Sequence, residues 1–496
     1  MRDLLTNPAW QPADLGVPLP DSTHAVSVAM PSWQDVIDYE EGRPELAAKL
    51  QSGYPRFFCH PLVTQLFNTT ASRCASEGEG CIVYPSRASA ERCLAYVSAR
   101  SDLTFRLENL HGSACAVVFP EPARKLVREY WRYCGETLSS RMAAHLLAGH
   151  GPPTPEMESA GRSARLAIRS QLAALHRVSP EDVFLFPSGM AAIAAAHRLV
   201  TATLPGLPSL QLDFPYVDAL KIQQEFGSGV RFLASTDDSA LAEIRSLAAS
   251  TAISSVFCEM PSNPLLRSAR LSAFAPQLRN ARIPLVVDDT VASVVSIHAL
   301  RFADLVTTSL TKSFSGTGDV LAGSLVINPD SPHHAAFRAA MAADSPDDLL
   351  WCEDAVALAA NARDFPARVV RSHANAAALA AWLDHHPAVD SVWYPRHGDG
   401  LDEILRPGAG RGCLLSFTLR HQDLTPVVYD RLRVSKGPSL GTNFTLCCPY
   451  TLLAHYTELD WAADCGVPAR LLRVSTGLED SADLIARFRD ALDGLS

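Results

Sequence analysis

The stretch VFLFPSGMAAIAAAHRLV, residues 183–200, decides the fold class of this chain. Its first four residues form a short apolar run that is typical of a buried strand, and the apolar spacing that follows predicts a helix over 189–200. A helix that starts directly after a strand offers free N–H groups and the positive end of its dipole to an anion, and Gly189 lets the backbone come close. Ser188 adds a hydroxyl donor. The stretch predicts an anion site at a strand end, although a capping serine before a turn glycine would look the same.

Strands and helices alternate along the chain around this stretch. Helical spacing of apolar residues is found over 161–176 and again over 216–226. Further short apolar runs predict strands at 210–214, 253–258, 285–287, 305–308 and 322–327. Short apolar strands that alternate with helices indicate an α/β fold with a mostly parallel sheet between layers of helices.

The regions on either side have a different pattern. Residues 1–130 are rich in proline and predict two strands, at 80–84 and 114–119, with a helix at 88–99 between them. From residue 331 onward the pattern favours a smaller α+β domain. Its predicted elements are a long alanine-rich helical region at 355–383, strands at 389–393, 413–418 and 472–474, and a final helix at 482–492. We therefore expect three parts: an N-terminal extension (1–130), a large domain (131–330) and a small C-terminal domain (331–496).

Composition excludes several classes of protein. The chain has 496 residues, 47% hydrophobic and 19% charged, with a net charge of −10, so a nucleic-acid partner is not expected. The twelve cysteines include no C-x-x-C pair, which argues against structural zinc and favours free thiols in a reducing compartment. The N-terminus lacks the basic flank and apolar core of a signal peptide, and no apolar run approaches the roughly 20 residues of a membrane span. We expect a cytoplasmic protein with no membrane partner and no metal.

Polar side chains that could bind a ligand or take part in a reaction follow two of the predicted strands. Ser309 and Thr311 alternate on one side of the chain and could bind phosphate oxygens, and Lys312 comes next. A lysine in such a place is usually a surface cation. Asp288 directly follows the run at 285–287, where an acid is often a cap but could instead pair with a pyridinium nitrogen. That pairing keeps the ring protonated, as an electron sink requires.

Two further residues extend this set. Tyr216 follows the run at 210–214 and could stack on a flat cofactor, or be an ordinary core or rim tyrosine. Arg473 interrupts an apolar strand, which calls for a buried anion: either a substrate carboxylate bound by two parallel hydrogen bonds or a structural ion pair. Open parallel sheets bind ligands beyond the carboxyl ends of their strands, so we expect the candidates of the large domain to form one site.

Four motifs occur in a fixed order along the chain: SGMAA at 188–192, EMPSNP at 259–264, DDT at 288–290 and SLTK at 309–312. Together they resemble the Cys/Met-metabolism family of pyridoxal 5′-phosphate (PLP) enzymes. This family includes cystathionine γ-synthase, the cystathionine lyases, methionine γ-lyase and the O-acylhomoserine sulfhydrylases. The similarity is dense over residues 180–330 and thinner over 435–480.

The resemblance implies a PLP-dependent transferase fold of the aspartate aminotransferase type, an amino-acid substrate and a role for each matching residue. Lys312 is the lysine that bonds covalently to the cofactor. The phosphate is held by the backbone of Gly189 and Met190 and by hydroxyls, and Tyr216 stacks on the ring. The remaining roles are ring-nitrogen pairing for Asp288, phosphate hydroxyls for Ser188, Ser309 and Thr311, contact with the cofactor's 3′ oxygen and the substrate for Asn263, and substrate-carboxylate binding for Ser439 and Arg473.

Assembly is implied in the same way. The family supplies a Tyr-x-Arg from the neighbouring subunit, and Tyr54-Pro55-Arg56 fits it, with Arg56 expected at the phosphate. This implies a homodimer or a homotetramer with shared sites. The long N-terminal region is more similar to cystathionine γ-synthase of the fungal type, whose branch includes relatives recruited to specialised metabolism. Asp289 departs from the family's usual Asn, and the segment 214–217 departs from its usual Tyr-Gly-Gly.

The leading functional hypothesis is γ-replacement on an O-acyl-L-homoserine, for example O-acetylhomoserine, through a vinylglycine-type intermediate. Cysteine or a carbon or amine nucleophile would be the second substrate. Lys312 would act as the base, because the incoming substrate amine displaces the lysine and so frees the lysine amine beside the reacting carbon. Tyr216 is a possible proton-transfer partner. β- or γ-elimination on a sulfur amino acid is the alternative reaction. A catalytically silent PLP-fold binding protein is the alternative of another class.

Overall fold

The structure is a computed structural model that describes residues 2–54, 59–344 and 349–493. Its strands form three sheets. They are β1 (Glu79–Tyr84), β2 (Arg106–Asn109), β3 (Cys115–Pro120), β4 (Val183–Phe186), β5 (Ser209–Leu212), β6 (Val230–Leu233), β7 (Val256–Glu259), β8 (Leu285–Asp288), β9 (Leu305–Ser309), β10 (Gly323–Ile327), β11 (Val389–Trp393), β12 (Leu414–Leu419), β13 (Ser435–Lys436), β14 (Leu446–Pro449) and β15 (Leu472–Ser475).

The helices surround these sheets. They are α1 (Trp33–Glu40), α2 (Pro44–Ala47), α3 (Pro61–Cys74), α4 (Arg87–Ser98), α5 (Arg124–Cys134), α6 (Ser140–Leu147), α7 (Pro155–His176), α8 (Gly189–Thr203), α9 (Val217–Phe226), α10 (Asp238–Ala249), α11 (Ala275–Asn280), α12 (Ser293–Ser296), α13 (His334–Asp344), α14 (Cys352–Asn361), α15 (Phe365–Asp384), α16 (Thr425–Arg431), α17 (Tyr450–His455), α18 (Leu459–Asp464) and α19 (Ser481–Leu492). No helix in the described part of the chain is long and apolar enough to cross a membrane.

The central sheet has the order β4-β10-β9-β8-β7-β5-β6. Every neighbouring pair is parallel except the two that involve β10, which runs antiparallel to both β4 and β9. Its middle strands are buried along nearly their whole length, which explains why they read as continuous apolar runs and not as alternating patterns. The expectation of a mostly parallel sheet between helices is confirmed. The edge strand β6 and the helix α10 were not predicted, because β6 is only partly buried and carries Arg231 in its middle.

A second sheet, of order β11-β12-β15-β14-β13, lies in the C-terminal part of the chain. The N-terminal residues pack against it: the Met30 N–H donates to the Lys436 carbonyl at 2.9 Å, and the Tyr429 hydroxyl donates to the Met30 carbonyl at 2.8 Å. The single long helix expected over 355–383 is two helices, α14 and α15, and Pro366 lies in the first turn of the second one. A proline at a helix start satisfies the helix geometry, whereas within a continuous helix it would break the hydrogen-bond ladder.

The third sheet, β1-β3-β2, and helices α3–α6 form a separate layer that we call the N-terminal unit, residues 59–147. It docks on the central sheet at the start of α8. Gly135 makes this contact: it has φ +65°, and a Cβ there would lie 2.4 Å from the Met190 Cβ and 2.5 Å from the Ala191 nitrogen. The Ser188 hydroxyl donates to the Gly135 carbonyl at 2.6 Å.

The division of the chain into domains at residues 130 and 330 remains a prediction. Helices α13 and α14, which follow residue 330, pack on α8 and α7 of the central layer.

We expect Gly135→Ala to destabilise the protein by more than the roughly 1–2 kcal/mol that a left-handed backbone costs a non-glycine residue. The additional loss comes from the collision of the new methyl group with the backbone of α8. Gly149→Ala is the matched control, since Gly149 has φ +74° and no atom within 4 Å of its Cβ position. Urea unfolding of both variants measures the difference. Equal losses for the two variants would mean that the close approach at Gly135 adds nothing to stability.

Candidate active site

A cavity of about 1190 Å³, including its open mouth, lies beyond the carboxyl ends of the central strands. This is the position at which an open parallel sheet binds its ligands. Its walls contain most of the residues that the sequence singles out: Tyr54, Ser188, Gly189, Met190, Tyr216, Asn263, Asp288, Ser309, Thr311, Lys312 and Arg473. Ser439 reaches the same place through its contact with Lys312. The structure thus brings together residues from both ends of the chain.

Lys312 lies in the turn that follows β9 and is 9% exposed. Its Nζ donates to the Tyr54 hydroxyl at 2.9 Å and to the Ser439 hydroxyl at 3.1 Å. Within the described residues no carboxylate lies within ion-pair distance of this nitrogen. This buried amine is therefore well placed to form a covalent bond.

The start of α8 and the end of β9 form the expected phosphate end of the cavity. A Cβ on Gly189 would lie 2.7 Å from the Ser309 Cβ, so only glycine permits the two segments to approach this closely. The hydroxyls there are not equivalent. Ser188 caps α8 and donates to Gly135, and Thr311 exchanges hydrogen bonds with the backbone of Ala322 at 3.0 and 3.3 Å. The backbone of α8 and the Ser309 hydroxyl are therefore the groups best placed to donate to a phosphate.

Asp288 ends β8 and lines the opposite end of the cavity. It accepts hydrogen bonds from the Thr307 hydroxyl at 3.1 Å and from the Thr290 N–H at 2.9 Å. Burial raises its pKa, and among the described residues no cation lies within ion-pair distance of it. The neighbouring Glu259, on β7, accepts from the Tyr216 N–H at 2.6 Å; burial raises its pKa, and Asp288 raises it further. This end of the cavity is a desolvated acidic region that a cationic N–H group would stabilise.

Asp289 behaves differently although it is the next residue. Its Oδ1 accepts from the Thr308 hydroxyl at 2.5 Å, while its Oδ2 is buried without a hydrogen-bond partner in the described residues. Successive side chains at a strand end point to opposite faces, so Asp288 lines the cavity and Asp289 packs behind it. Burial raises the pKa of Asp289 to about 7.

Arg473, on β15, is 4% exposed and faces the cavity from the C-terminal sheet. Its guanidinium donates to the Asn263 side-chain oxygen at 3.3 Å and to the Pro438 and Ser439 carbonyls at 3.0 Å, and it lies 4.7 Å above the Tyr450 ring. No carboxylate of the described residues pairs with it. The structural ion pair considered as an alternative is therefore not present in the described part of the chain, and the positive charge is free to bind a carboxylate from outside.

The Lys312 Nζ lies 2.9 Å from the Tyr54 hydroxyl of the same chain. The expectation that the segment 54–56 reaches a site across a subunit interface stays a prediction. His60 follows these residues, and its ring nitrogen lies 2.9 Å from the Thr23 carbonyl; Val26, on the same segment, donates to the Gly318 carbonyl at 2.9 Å. Arg56, the expected phosphate ligand, lies outside the described residues.

Sequence reasoning gave no role to Glu259 and missed two other charged residues in the cavity wall, Arg132 and Asp218. Asp218 could have been found, since it follows Tyr216 by two residues at the start of a predicted helix. Arg132 lies on α5, in a region without a clear pattern, and nothing in the sequence links it to the site.

The comparisons with known proteins agree with this geometry. Residues 159–493 match the family model of the Cys/Met metabolism PLP-dependent enzymes, and residues 62–139 match that of the fungal trans-sulfuration enzyme N-terminal domain. The chain belongs to the Cys/Met metabolism family of PLP-dependent enzymes. The predictions of PLP as cofactor and of the aspartate aminotransferase type of fold are confirmed.

Its relatives carry out more than one reaction. Cystathionine gamma-synthase of Neurospora crassa is 32% identical over 97% of this chain and 98% of its own length. L-2-amino-4-chloropent-4-enoate dechlorinase/desaturase of Streptantibioticus cattleyicolor is also 32% identical, over 96% of this chain and 98% of its own length. The solved structure of cystathionine gamma synthase from Xanthomonas oryzae pv. oryzae matches with a TM-score of 0.58 and 26% identity, over 66% of this chain and 85% of that one. This chain is a PLP enzyme of the cystathionine γ-synthase type.

The residues in the cavity fit PLP. Lys312 presents an amine without a carboxylate partner, and Asp288 presents a carboxylate without a cation. The close approach of Gly189 to Ser309 leaves backbone N–H groups of α8 facing the cavity, where a phosphate would be held. Each of these groups lacks the partner that PLP would supply.

We expect Asp289→Asn to change how stability depends on pH in this PLP enzyme. The folded pKa of about 7 lies above the ordinary value of 3.8, so the folded state holds the proton more tightly than the unfolded state. The wild type therefore loses unfolding free energy as the pH rises from about 4 to about 7, and the variant should lose less. Denaturant unfolding at pH 5 and pH 8 measures this. Asp238→Asn, on an exposed side chain, should follow the wild type; parallel curves for all three proteins would contradict the assignment.

Lys312→Ala should abolish turnover and remove the absorbance of the lysine-bound cofactor, because no other described lysine lines the cavity. Absorbance spectra of the purified protein with added PLP check this. Lys125→Ala is the control, since this side chain is 88% exposed and lies on α5. Full turnover by Lys312→Ala would exclude PLP chemistry at this lysine.

Proposed function

We propose that this enzyme catalyses γ-replacement on an O-acyl-L-homoserine, with cysteine or a carbon or amine nucleophile as the second substrate. One observation carries the proposal: Ser439 joins the two groups that an amino-acid substrate needs. Its hydroxyl accepts from the Lys312 Nζ at 3.1 Å, and its carbonyl accepts from Arg473 at 3.0 Å. A substrate carboxylate bound at Arg473 would therefore place its α-carbon beside Lys312.

The residues of the cavity have separate tasks in this reaction. PLP, when bound, supplies an electron sink for the bonds at the substrate α-carbon. Arg473 holds the substrate carboxylate by paired hydrogen bonds and so fixes which α-carbon bond faces the lysine. Lys312, once its amine is released, takes the proton from the α-carbon and then assists the loss of a proton from the β-carbon, after which the γ-acyloxy group leaves. Asp288 keeps a proton on the ring nitrogen.

The wall around the remaining space favours an uncharged γ-substituent. Val291, Leu440, Leu453 and Ala454 give apolar surface to the same cavity as Arg473. Apolar walls exclude water from the reacting carbon and favour addition of a nucleophile over hydrolysis. An uncharged acyl group such as acetyl suits an apolar wall better than a charged one.

Elimination is the second candidate, and the dechlorinase/desaturase supports it. The alignment with that relative spans 98% of its length in 496 positions. The alignment with the Neurospora synthase also spans 98% of that protein but needs 612 positions. The present chain therefore matches the dechlorinase/desaturase with fewer insertions. Loss of a leaving group from the γ-carbon is common to both candidates, which differ in whether a nucleophile then adds. A homodimer or homotetramer in the cytoplasm remains part of the proposal, on the basis of the family.

We expect incubation with O-acetyl-L-homoserine and cysteine to give cystathionine, measured by mass spectrometry. Formation of ammonia and a keto acid at the same rate with and without cysteine would favour elimination.

Arg473→Met should raise the KM for the amino acid about 10- to 100-fold, because a charge-assisted hydrogen bond contributes roughly 1.5–3 kcal/mol. Arg470→Met is the matched control, since Arg470 contacts only the Gln422 carbonyl at the surface in the described residues. An unchanged KM in Arg473→Met would exclude Arg473 as the carboxylate site.

A further inference from the structure

Three side chains from separate elements meet in the cavity wall. Arg132 comes from α5 of the N-terminal unit, Asp218 from the first turn of α9, and Tyr216 from the residue before that helix. The Arg132 Nη2 lies 3.2 Å from the Asp218 Oδ1, and the Tyr216 hydroxyl donates to the Asp218 Oδ2 at 3.4 Å. All three line the cavity that contains Lys312. The Asp218 carboxylate is thus shared between a guanidinium and a phenol.

Burial makes this contact specific. The side chain of Asp218 has no exposed surface, whereas that of Arg132 is 39% exposed. A buried carboxylate requires a countercharge or hydrogen-bond donors, and Arg132 and the Tyr216 hydroxyl are among the groups that meet this need. Because Arg132 keeps one side in the solvent-accessible cavity, its position depends on the docking of the N-terminal unit.

Tyr216 is held at both ends. Its backbone N–H donates to Glu259 at 2.6 Å, and its ring packs in an apolar cluster with Met190 and Ile193 of α8. At the other end of the side chain, the Asp218 carboxylate lies 3.4 Å from the hydroxyl and offers it a long hydrogen bond.

We propose that Arg132 and Asp218 are positioning residues that fix the Tyr216 phenol, and that the N-terminal unit thereby completes the active site. This deepens the proposed function, because Tyr216 is the aromatic residue beside the cofactor and the reacting carbons in that proposal. The Ser188–Gly135 contact attaches the same unit to the start of α8. The N-terminal unit therefore acts on the cavity at two points, the phosphate end through Gly135 and the aromatic wall through Arg132.

The test is a double-mutant cycle with Tyr216→Phe, which removes the hydroxyl and keeps the ring. Asp218→Asn, Arg132→Met and Arg132→Lys are each made in the wild-type and in the Tyr216→Phe background. The measurements are kcat and KM with O-acetyl-L-homoserine, the circular dichroism of bound PLP, and the thermal midpoint. If Asp218 acts through the phenol, its substitution costs activity only while the hydroxyl is present.

We expect Asp218→Asn and Arg132→Met to lower kcat about tenfold, with a smaller change in KM, and to alter the cofactor dichroism. Arg132→Lys should recover part of kcat, and in the Tyr216→Phe background the further loss should disappear. Arg198→Met is the matched control: Arg198, on α8, pairs with Glu136 of the N-terminal unit at 3.4 Å without lining the cavity, and its loss should leave kcat and dichroism unchanged.

Two results would overturn the proposal. One is an equal loss of kcat from Asp218→Asn in both backgrounds, which would mean that Asp218 acts independently of the phenol. The other is unchanged kcat and dichroism in both Asp218→Asn and Arg132→Met. If O-acetyl-L-homoserine is not turned over at all, the proposed reaction fails, and the dichroism of bound PLP in the same cycle still decides whether the pair positions Tyr216.

Discussion

The buried amine of Lys312 is the constraint on which the rest of the site depends. Lys312 is held at the end of β9 by two neutral hydroxyls, from Tyr54 and Ser439, and not by a carboxylate. Among the described residues no ion pair therefore has to be broken before this nitrogen forms a covalent bond. Two of the carboxylates in the cavity wall, Asp288 and Glu259, have pKa values raised by burial, and Asp288 raises that of Glu259 further. Neither carboxylate lies within ion-pair distance of the Lys312 nitrogen.

Keeping charges apart in this way requires the central sheet to be rigid. The lysine and Asp288 extend from strands β9 and β8, which are hydrogen-bonded neighbours, and β10 fixes the other edge of β9. Gly323, at the start of β10, approaches Ser188 closely: a Cβ on Gly323 would lie 2.2 Å from the Ser188 carbonyl oxygen. This contact holds the start of α8 against β10. The cavity is therefore built on backbone contacts, and the side chains that line it have little freedom to rearrange.

Much of the fold and of the site could be predicted from the sequence because both depend on strand ends. A buried parallel strand leaves a continuous apolar run, and the polar residue after it lies at the ligand edge, which is how Asp288, Lys312 and Ser309 were found. The same reasoning could not decide which of the serine and threonine hydroxyls hydrogen-bond to the backbone and which remain available to a phosphate. Ser188 and Thr311 look identical to Ser309 in sequence, yet their hydrogen bonds go to the backbone of Gly135 and Ala322. Those partners are 53 and 11 residues away, and local pattern contains no information about them.

Long-range contacts also explain what was missed. Arg132 reaches the cavity only because Gly135, one turn later, docks its helix on α8, and that contact depends on the positive φ of one glycine. Tyr54 likewise contacts Lys312, which is 258 residues away in the same chain, and its expected role across a subunit interface stays a prediction. Both residues come from the region before residue 140. The central sheet carries Lys312, Asp288 and Ser309, while the N-terminal unit reaches the cavity at its phosphate end through Gly135 and at its aromatic wall through Arg132. Variation in that region would therefore act on both the cofactor and the substrate side of the cavity, and relatives of equal similarity bear the names of different reactions.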